Sequence, residues 1–251
     1  MVELYNGDCL EVMDKLIAEG VIVDAIITDP PYGTTACKWD SVIPFDEMWL
    51  RLNKLIKPNG AIVLFGSEPF SSALRMSNIK NYKYDWIWSK SHPTNFALVK
   101  KQPMKYHEMV HIFYKKQPTY NPQMNKGAIN HGDNRHLRNE INVSESQPTM
   151  KAVRTDTYKS GLKYPSSIQK FNSHNRADLS HPTQKPVALM EYLIKTYTNE
   201  GEIVVDFTMG SCTTGVACKK LNRNFIGIEL DKKYFDIANN RINATEVNNA
   251  D

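Results

Sequence analysis

A chain of 251 residues, 41% of them hydrophobic, is long enough to bury one large α/β domain, or a core that carries a substantial insertion. It has no run near the roughly 18 apolar residues of a membrane span, no secretory leader in its opening MVELYNGDCLEV, and no CxxC pair among Cys9, Cys37, Cys212 and Cys218, so no membrane partner, disulfide framework or zinc knuckle is expected and the expected location is cytoplasmic. The net charge of +4 divides unevenly, with 17 Lys/Arg against 7 Asp/Glu in residues 80–180 and 14 against 20 elsewhere, which suggests an anionic partner for the basic region, nucleic acid first, with solvated lysines as the plain alternative.

Along the chain, residues 2–5 suit a short strand and 10–18 a helix that follows Gly7-Asp8. Residues 23–28 (VDAIIT) are β-branched and nearly all apolar, the pattern of a central parallel strand buried on both faces. Asp29-Pro30-Pro31-Tyr32 comes next, and prolines lacking an N–H and fixed in φ must stop that strand. The stop lies at the carboxyl end, where open α/β sheets place their ligands. A carboxylate, two rigid carbonyls and an aromatic ring gathered there can grip a planar base by its exocyclic amine, although Asp-Pro-Pro also opens ordinary loops. Residues 45–56 carry apolar side chains at a spacing near 3.6 and end at Pro58-Asn59-Gly60, a helix and its stop; 61–65 (AIVLF) is a further buried strand. Residues 82–88 and 110–114 are aromatic-rich and suit antiparallel strands. His107-Glu108-Met109-Val110-His111 matches HExxH but runs into Ile112-Phe113-Tyr114. On a strand its two histidines would lie roughly 13 Å apart at ~3.3 Å per residue, so no metal is expected.

Residues 116–180 are polar and without a clear period, which suits a compact module with little regular structure or a partly mobile one. Order returns with a helix over 186–197, a strand over 202–205 that ends at Asp206, a helix over 213–221, a strand over 225–228 that ends at Glu229, and a helix over 232–242. Strands alternating with helices imply a doubly wound, mostly parallel sheet.

The segment Asp206-Phe207-Thr208-Met209-Gly210-Ser211-Cys212-Thr213-Thr214-Gly215 joins a strand to a helix, whose N-terminus offers free backbone N–H groups. It lacks the Gly-Lys-Ser/Thr of a phosphate-cradling loop and the GxGxxG of a dinucleotide site. Glu229, at the end of the next strand, stands where an acid binds ribose hydroxyls. A nucleoside-containing cofactor without a diphosphate, such as S-adenosyl-L-methionine, fits both features.

These motifs resemble those of the S-adenosylmethionine-dependent DNA amino-methyltransferases, which modify N6 of adenine or N4 of cytosine. Asp29 to Tyr32 looks like their catalytic motif, 206–215 is similar to their cofactor loop DPFxGSGTT, and His181-Pro182-Thr183-Gln184-Lys185-Pro186 resembles their HPTxKP segment beside the methionine end of the cofactor. Asn6-Gly7-Asp8-Cys9 resembles their acidic segment near the cofactor adenine. The motif order is similar to that of the permuted β group. The resemblance implies an α/β, seven-stranded, Rossmann-like methyltransferase sheet with an irregular basic insertion: a catalytic half at 1–115, a target-recognition region at 116–180 and a cofactor half at 181–251. It implies Asp29, Pro30, Pro31 and Tyr32 as catalytic residues, and as cofactor-binding residues Asp8, Cys9, Asp29, His181, Thr183, Lys185, Asp206, Phe207, Thr208, Gly210, Ser211, Cys212, Thr213, Thr214, Glu229 and Leu230. Phe207 and Thr208 stand where the family commonly has Pro-Phe. Cys212 replaces a Gly, and its side chain narrows the approach to the cofactor unless it points away.

The function so implied is methyl transfer to N6 of an adenine flipped out of double-stranded DNA. Asp29 and the Pro30 carbonyl would accept hydrogen bonds from the amine, and Tyr32 would stack on the base. Aspartate rather than serine before Pro-Pro-Tyr favours adenine. The alternatives are N4-cytosine or RNA as substrate, or a non-catalytic nucleic-acid binder. A protein glutamine methyltransferase would show Asn-Pro-Pro-Tyr after the cofactor loop, against both residue and order here. Dimerisation is common in that family and leaves a homodimer open, and a companion restriction endonuclease is a further partner the resemblance allows.

Overall fold

The computed structural model of the protein describes residues 1–35, 40–126, 162–173 and 184–246. The chain divides into two compact units, Met1–Asn121 with Ser167–Asp251, and Pro122–Ser166. In the second unit the described residues form one short antiparallel pair, β6 (Asn125–Lys126) with β7 (Leu162–Lys163).

The first unit is built on a sheet with the order β1 (Val2–Asn6), β10 (Asn224–Glu229), β9 (Ile203–Asp206), β2 (Val23–Thr28), β3 (Ile56–Gly66), β5 (Lys105–Phe113), β4 (Tyr82–Thr94), β8 (Ile168–Phe171). The first five are mutually parallel, β5 runs antiparallel to β3 and β4, and β8 lies parallel to β4. Eight described strands thus replace the seven expected. The additional edge strand is β8, which lies in the polar stretch 116–180; its sequence Ile168-Gln169-Lys170-Phe171 is too short and polar to announce itself. Helices α1 (Cys9–Ala18), α2 (Phe45–Leu55) and α3 (Phe70–Ser77) share one core with the sheet, and α4 (Val187–Tyr197), α5 (Thr213–Lys220) and α6 (Lys232–Asn243) share the other. Along β3, Ala61, Val63 and Phe65 enter one core while Ile62 and Leu64 enter the other, so a two-faced burial explains the continuous apolar run. Among the described residues no helix is long and apolar enough to cross a membrane.

Two local departures have clear causes. Residues 58–60, expected to stop α2, lie inside β3, which pairs with Val23 through Ile56 and then bulges before Ala61 pairs with Ala25. A β-carbon at Gly60 would fall 2.7 Å from the Asp24 carbonyl, so the close approach at the bulge requires glycine. Helix α3 carries no strong sequence signal but is tied inward. Ser71 Oγ lies 2.8 Å from His111 Nε2, and His111 Nδ1 lies 2.5 Å from Asp85 Oδ1. The order is that of a hydrolytic triad, but Ser71 and His111 are 0% exposed, which makes it an internal tie of α3 to β5 and β4. The histidines of the HExxH match sit on strand β5, and no group of three metal-ligating side chains occurs among the described residues.

Candidate active site

The chain leaves β2 through α2 to β3 on one side, and leaves β9 through α5 to β10 on the other, although β2 and β9 are neighbours. The carboxyl ends of β2 and β9 therefore flank a topological switch point, where a crevice opens. Thr28 Oγ1 crosses it to donate to Asp206 Oδ1 at 2.5 Å. Above these ends lies a cavity of about 1090 Å³, ample for a small molecule and a second planar group.

Most of the expected residues meet at this cavity. Asp8 and Cys9 line it from the start of α1, Asp29, Pro30, Pro31 and Tyr32 from the loop after β2, and Lys185 from the turn before α4. Asp206, Phe207, Thr208, Gly210, Ser211, Thr213 and Thr214 line it from the loop after β9, and Glu229 and Leu230 from the end of β10. Cys212 is absent from the wall. It is 0% exposed, has the left-handed φ of 63° that favours glycine, and sends its sulfur over Gly215, where an added β-carbon would come within 2.3 Å. The side chain points away from the cavity, so the loop's approach stays clear. His181 and Thr183 lie outside the described residues.

The loop after β9 is fixed by hydrogen bonds. Asp206 accepts from the hydroxyls of Thr28 and Thr214, each at 2.5 Å, and from the Thr208 amide at 3.2 Å. Burial pushes its carboxyl up to about 6 against those donors. Thr208 Oγ1 donates to the Asp29 carbonyl at 3.1 Å, joining the two loops. Arg241 of α6 donates to the Ser211 carbonyl at 2.9 Å and to Thr213 Oγ1 at 2.9 Å. Glu229 accepts the Gly210 amide at 2.9 Å and the Asp231 amide at 2.8 Å, one on each oxygen. The Leu230 backbone also bears on this carboxylate, which leaves acceptor capacity for one further hydroxyl partner.

The loop after β2 owes its shape to Asp40. Its Oδ1 accepts the amides of Tyr32 at 2.8 Å and Gly33 at 2.9 Å, and its Oδ2 those of Thr34 at 2.9 Å and Thr35 at 2.6 Å. Burial works against this carboxylate, yet the hydrogen bonds outweigh it and hold Asp40 below the usual range.

At the end of β2, Asp29 Oδ1 accepts the Tyr32 hydroxyl at 2.5 Å and Oδ2 is paired with Lys185. The Tyr32 ring packs 5.0 Å from Phe70. Lys185 Nζ lies 3.2 Å from Glu108 Oε2, and Glu108 Oε1 is paired with Lys90. Burial pushes Asp29 above its usual range against the Lys185 charge, whereas Lys185 and Lys90 overcome the burial of Glu108 and hold it down to about 2. Burial likewise works against the Lys185 ammonium, but Asp29 and Glu108 keep its pKa raised.

Asp40, Arg241 and Lys90 are residues that motif reading passed over, and it met Glu108 only within the HExxH match, without a role. Only the last two left a signal. On alternating strands Lys90 follows Trp86 and Trp88, and Glu108 precedes Val110 and Ile112, so each places a charge on a buried face.

Comparison with known proteins agrees with this geometry. A family model described as DNA methylase, for N6 and N4 enzymes, matches residues 23–240. The chain is 28% identical to the type II methyltransferase M2.DpnII of Streptococcus pneumoniae, over 98% of this chain and 91% of that one. It is 26% identical to the type II methyltransferase M1.MboII of Moraxella bovis, over 98% of each. Among solved structures, the M1.HpyAVI–SAM complex superposes with a TM-score of 0.67 and 30% identity, covering 97% of this chain and all of that one.

Proposed function

The chain belongs to the N6/N4 DNA methylase family, and from that premise we propose that it transfers a methyl group to N6 of an adenine turned out of double-stranded DNA. The observation that carries the choice of chemistry is the Asp29 carboxylate, held at the end of β2 by Tyr32 and Lys185 on the wall of a cavity that also reaches Glu229. An aspartate at that position favours the amine of adenine.

The cavity suits S-adenosylmethionine by its donor set. Glu229 keeps acceptor capacity for a ribose hydroxyl, Asp8 and Leu230 line the same cavity, and the loop from Asp206 to Thr214 presents backbone at the start of α5. Phe207 is buried in the core shared with α1 to α3 and anchors that loop. When bound, the cofactor supplies a methyl group activated by its sulfonium. The protein's part is to hold and polarise a poor nucleophile. An exocyclic amine delocalises its lone pair into the ring; hydrogen bonds to Asp29 and to the Pro30 carbonyl draw that pair toward the methyl and stabilise the charge that develops on nitrogen. The two prolines keep both acceptors in register. Tyr32 fixes Asp29 through its hydroxyl and offers its ring to the base, whose unstacking costs a few kcal/mol. One amine proton then departs by way of Asp29 to water. The basic residues of 80–180 supply phosphate contacts, and Tyr106, Tyr114, Tyr120 and Tyr164 offer stacking surfaces in the same span, with Tyr158 outside the described residues.

The test is incubation with labelled S-adenosylmethionine and unmethylated DNA, followed by nucleoside mass spectrometry and sequencing of the modified positions. N6-methyladenine at one sequence context is the expected product. N4-methylcytosine without N6-methyladenine refutes the adenine assignment, and label in neither refutes the enzyme.

A further inference from the structure

The reaction needs Asp29 but gives no task to Glu108 and Lys90, which share its charged neighbourhood. Lys90 near the end of β4, Glu108 of β5, Lys185 before α4 and Asp29 after β2 form an alternating chain: Lys90 on Glu108 Oε1, Glu108 Oε2 at 3.2 Å from Lys185, Lys185 on Asp29 Oδ2. Their side chains are 6%, 14%, 9% and 23% exposed. Apolar residues of similar volume would hold these strands without desolvating four charges, so the charges point to work in the cavity that all four line.

The difficulty they address lies at Asp29. Both of its oxygens are engaged, Oδ1 by Tyr32 and Oδ2 by Lys185. An incoming amine must share Oδ2 with an ammonium, using its remaining lone pair, and that ammonium repels the positive charge that grows on the amine nitrogen. Lys185 stands between two carboxylates, with Glu108 as its alternative seat. The rings of Phe65, 5.1 Å from Lys185 Nζ, and Trp88, 4.8 Å from Lys90 Nζ, flank the pair of lysines.

We propose that Glu108 is a positioning residue for methyl transfer: it takes the Lys185 ammonium from Asp29 Oδ2 as the target amine arrives, leaving Asp29 free to hold that amine. The inference rests on the exocyclic-amine reading above. Lys185 keeps its proton throughout and only changes carboxylate; Lys90 keeps Glu108 in place and balances its charge. The covalent event is unchanged: the amine lone pair forms the N–C bond, the electron pair of the breaking S–C bond stays on sulfur, and one N–H proton leaves through Asp29.

The groups facing Asp29 are Lys185, Glu108 and Tyr32, with Asp206 beyond them at the end of β9 and Lys90 acting through Glu108. Glu108→Gln, nearly isosteric and neutral, removes the second seat. Single-turnover methylation at saturating DNA and S-adenosylmethionine should slow about 10²-fold, the scale of a misplaced reacting group, while both dissociation constants stay within about threefold of wild type. Glu108→Asp should recover part of the rate. Independently of turnover, carboxyl ¹³C NMR should show Asp29 titrating at lower pH in Glu108→Gln, because Lys185 then pairs with Asp29 alone. Should that variant fold poorly, Lys90→Met with Glu108→Gln removes a neutral pair and should be equally slow. A wild-type rate in whichever of these variants folds, or an unmoved Asp29 titration, overturns the proposal alone. A wild-type protein that methylates no exocyclic amine overturns the reading and the proposal together.

Discussion

Replacing Asp40 with alanine tests whether the loop after β2 is shaped by one buried acceptor. The carboxylate takes four backbone amides in succession, from Tyr32 to Thr35, and the side chain of Phe70 backs the Tyr32 ring. Hydrogen bonds to a charged acceptor contribute about 1.5–3 kcal/mol each, and amides near the surface recover much of this from water, so a net loss of about 2–4 kcal/mol is expected. In a domain of this size each kcal/mol moves the midpoint by about 2–4 °C, so thermal unfolding should shift by about 5–15 °C. The larger effect should be on chemistry: Tyr32 fixes Asp29, and a loop loosened by about 1 Å lowers kcat about 10²-fold. Asp40→Asn retains one oxygen acceptor and should fall between the two. The stabilisation also carries a pH signature. Asp40 is held below its usual pKa in the fold, so its contribution is complete above the unfolded-state value of about 3.9 and fades as pH falls through the lower folded one. Circular dichroism melts from pH 3 to 7 alongside single-turnover rates at pH 7.5 read both effects. An Asp40→Ala protein with wild-type kcat refutes the link from Asp40 through Tyr32 to Asp29.

Glu229→Gln keeps one acceptor and loses the charge, and should weaken S-adenosylmethionine binding about 10-fold to 100-fold, the worth of one or two charged hydrogen bonds; calorimetry with an unchanged Kd would remove Glu229 from the ribose site. Gly215→Ala puts a β-carbon 2.3 Å from the Cys212 sulfur and 2.6 Å from the Phe225 ring, so it should cost about 1–3 kcal/mol of stability by overpacking. Cys212→Gly in the same chain should return part of that loss, and melts that show no recovery refute the contact. Burial raises Asp206 to about 6; a raised carboxyl favours the fold below its unfolded pKa and loses that advantage as pH climbs through the folded value. Between pH 4 and 6, Asp206→Asn should therefore lose less stability than wild type, and parallel melting curves across that window contradict the assignment.

Much of the fold is legible because the core strands are buried on both faces. A run such as 23–28 has one interpretation once Pro30 and Pro31 end it, and the strands that end at Asp206 and Glu229 are of the same kind. β8 escapes because an edge strand hides only one of its faces, and its burial alternates weakly. α3 escapes because its anchor is the buried contact of Ser71 with His111 of β5, 40 residues away. In the site, local motifs name Asp29, Lys185 and Glu229, but Asp40, Lys90 and Arg241 sit in no motif, and Glu108 sits in an HExxH match that points to a different chemistry. Each acts on a partner that the fold, or a loop, brings to it.

Local sequence carries the chemical pieces: a rigid acceptor pair after one strand, a loop that leads into a helix start after another, an acid after a third. Short-range covalent constraints decide these, chiefly the fixed φ of proline and the exposed N–H groups at a helix start. Tertiary structure alone decided that β2 and β9 lie side by side, bringing Thr28 to Asp206 across 178 positions, and that Asp29 shares Lys185 with Glu108. Charge interactions depend on distance in space and on burial, and neither quantity is written in the order of residues.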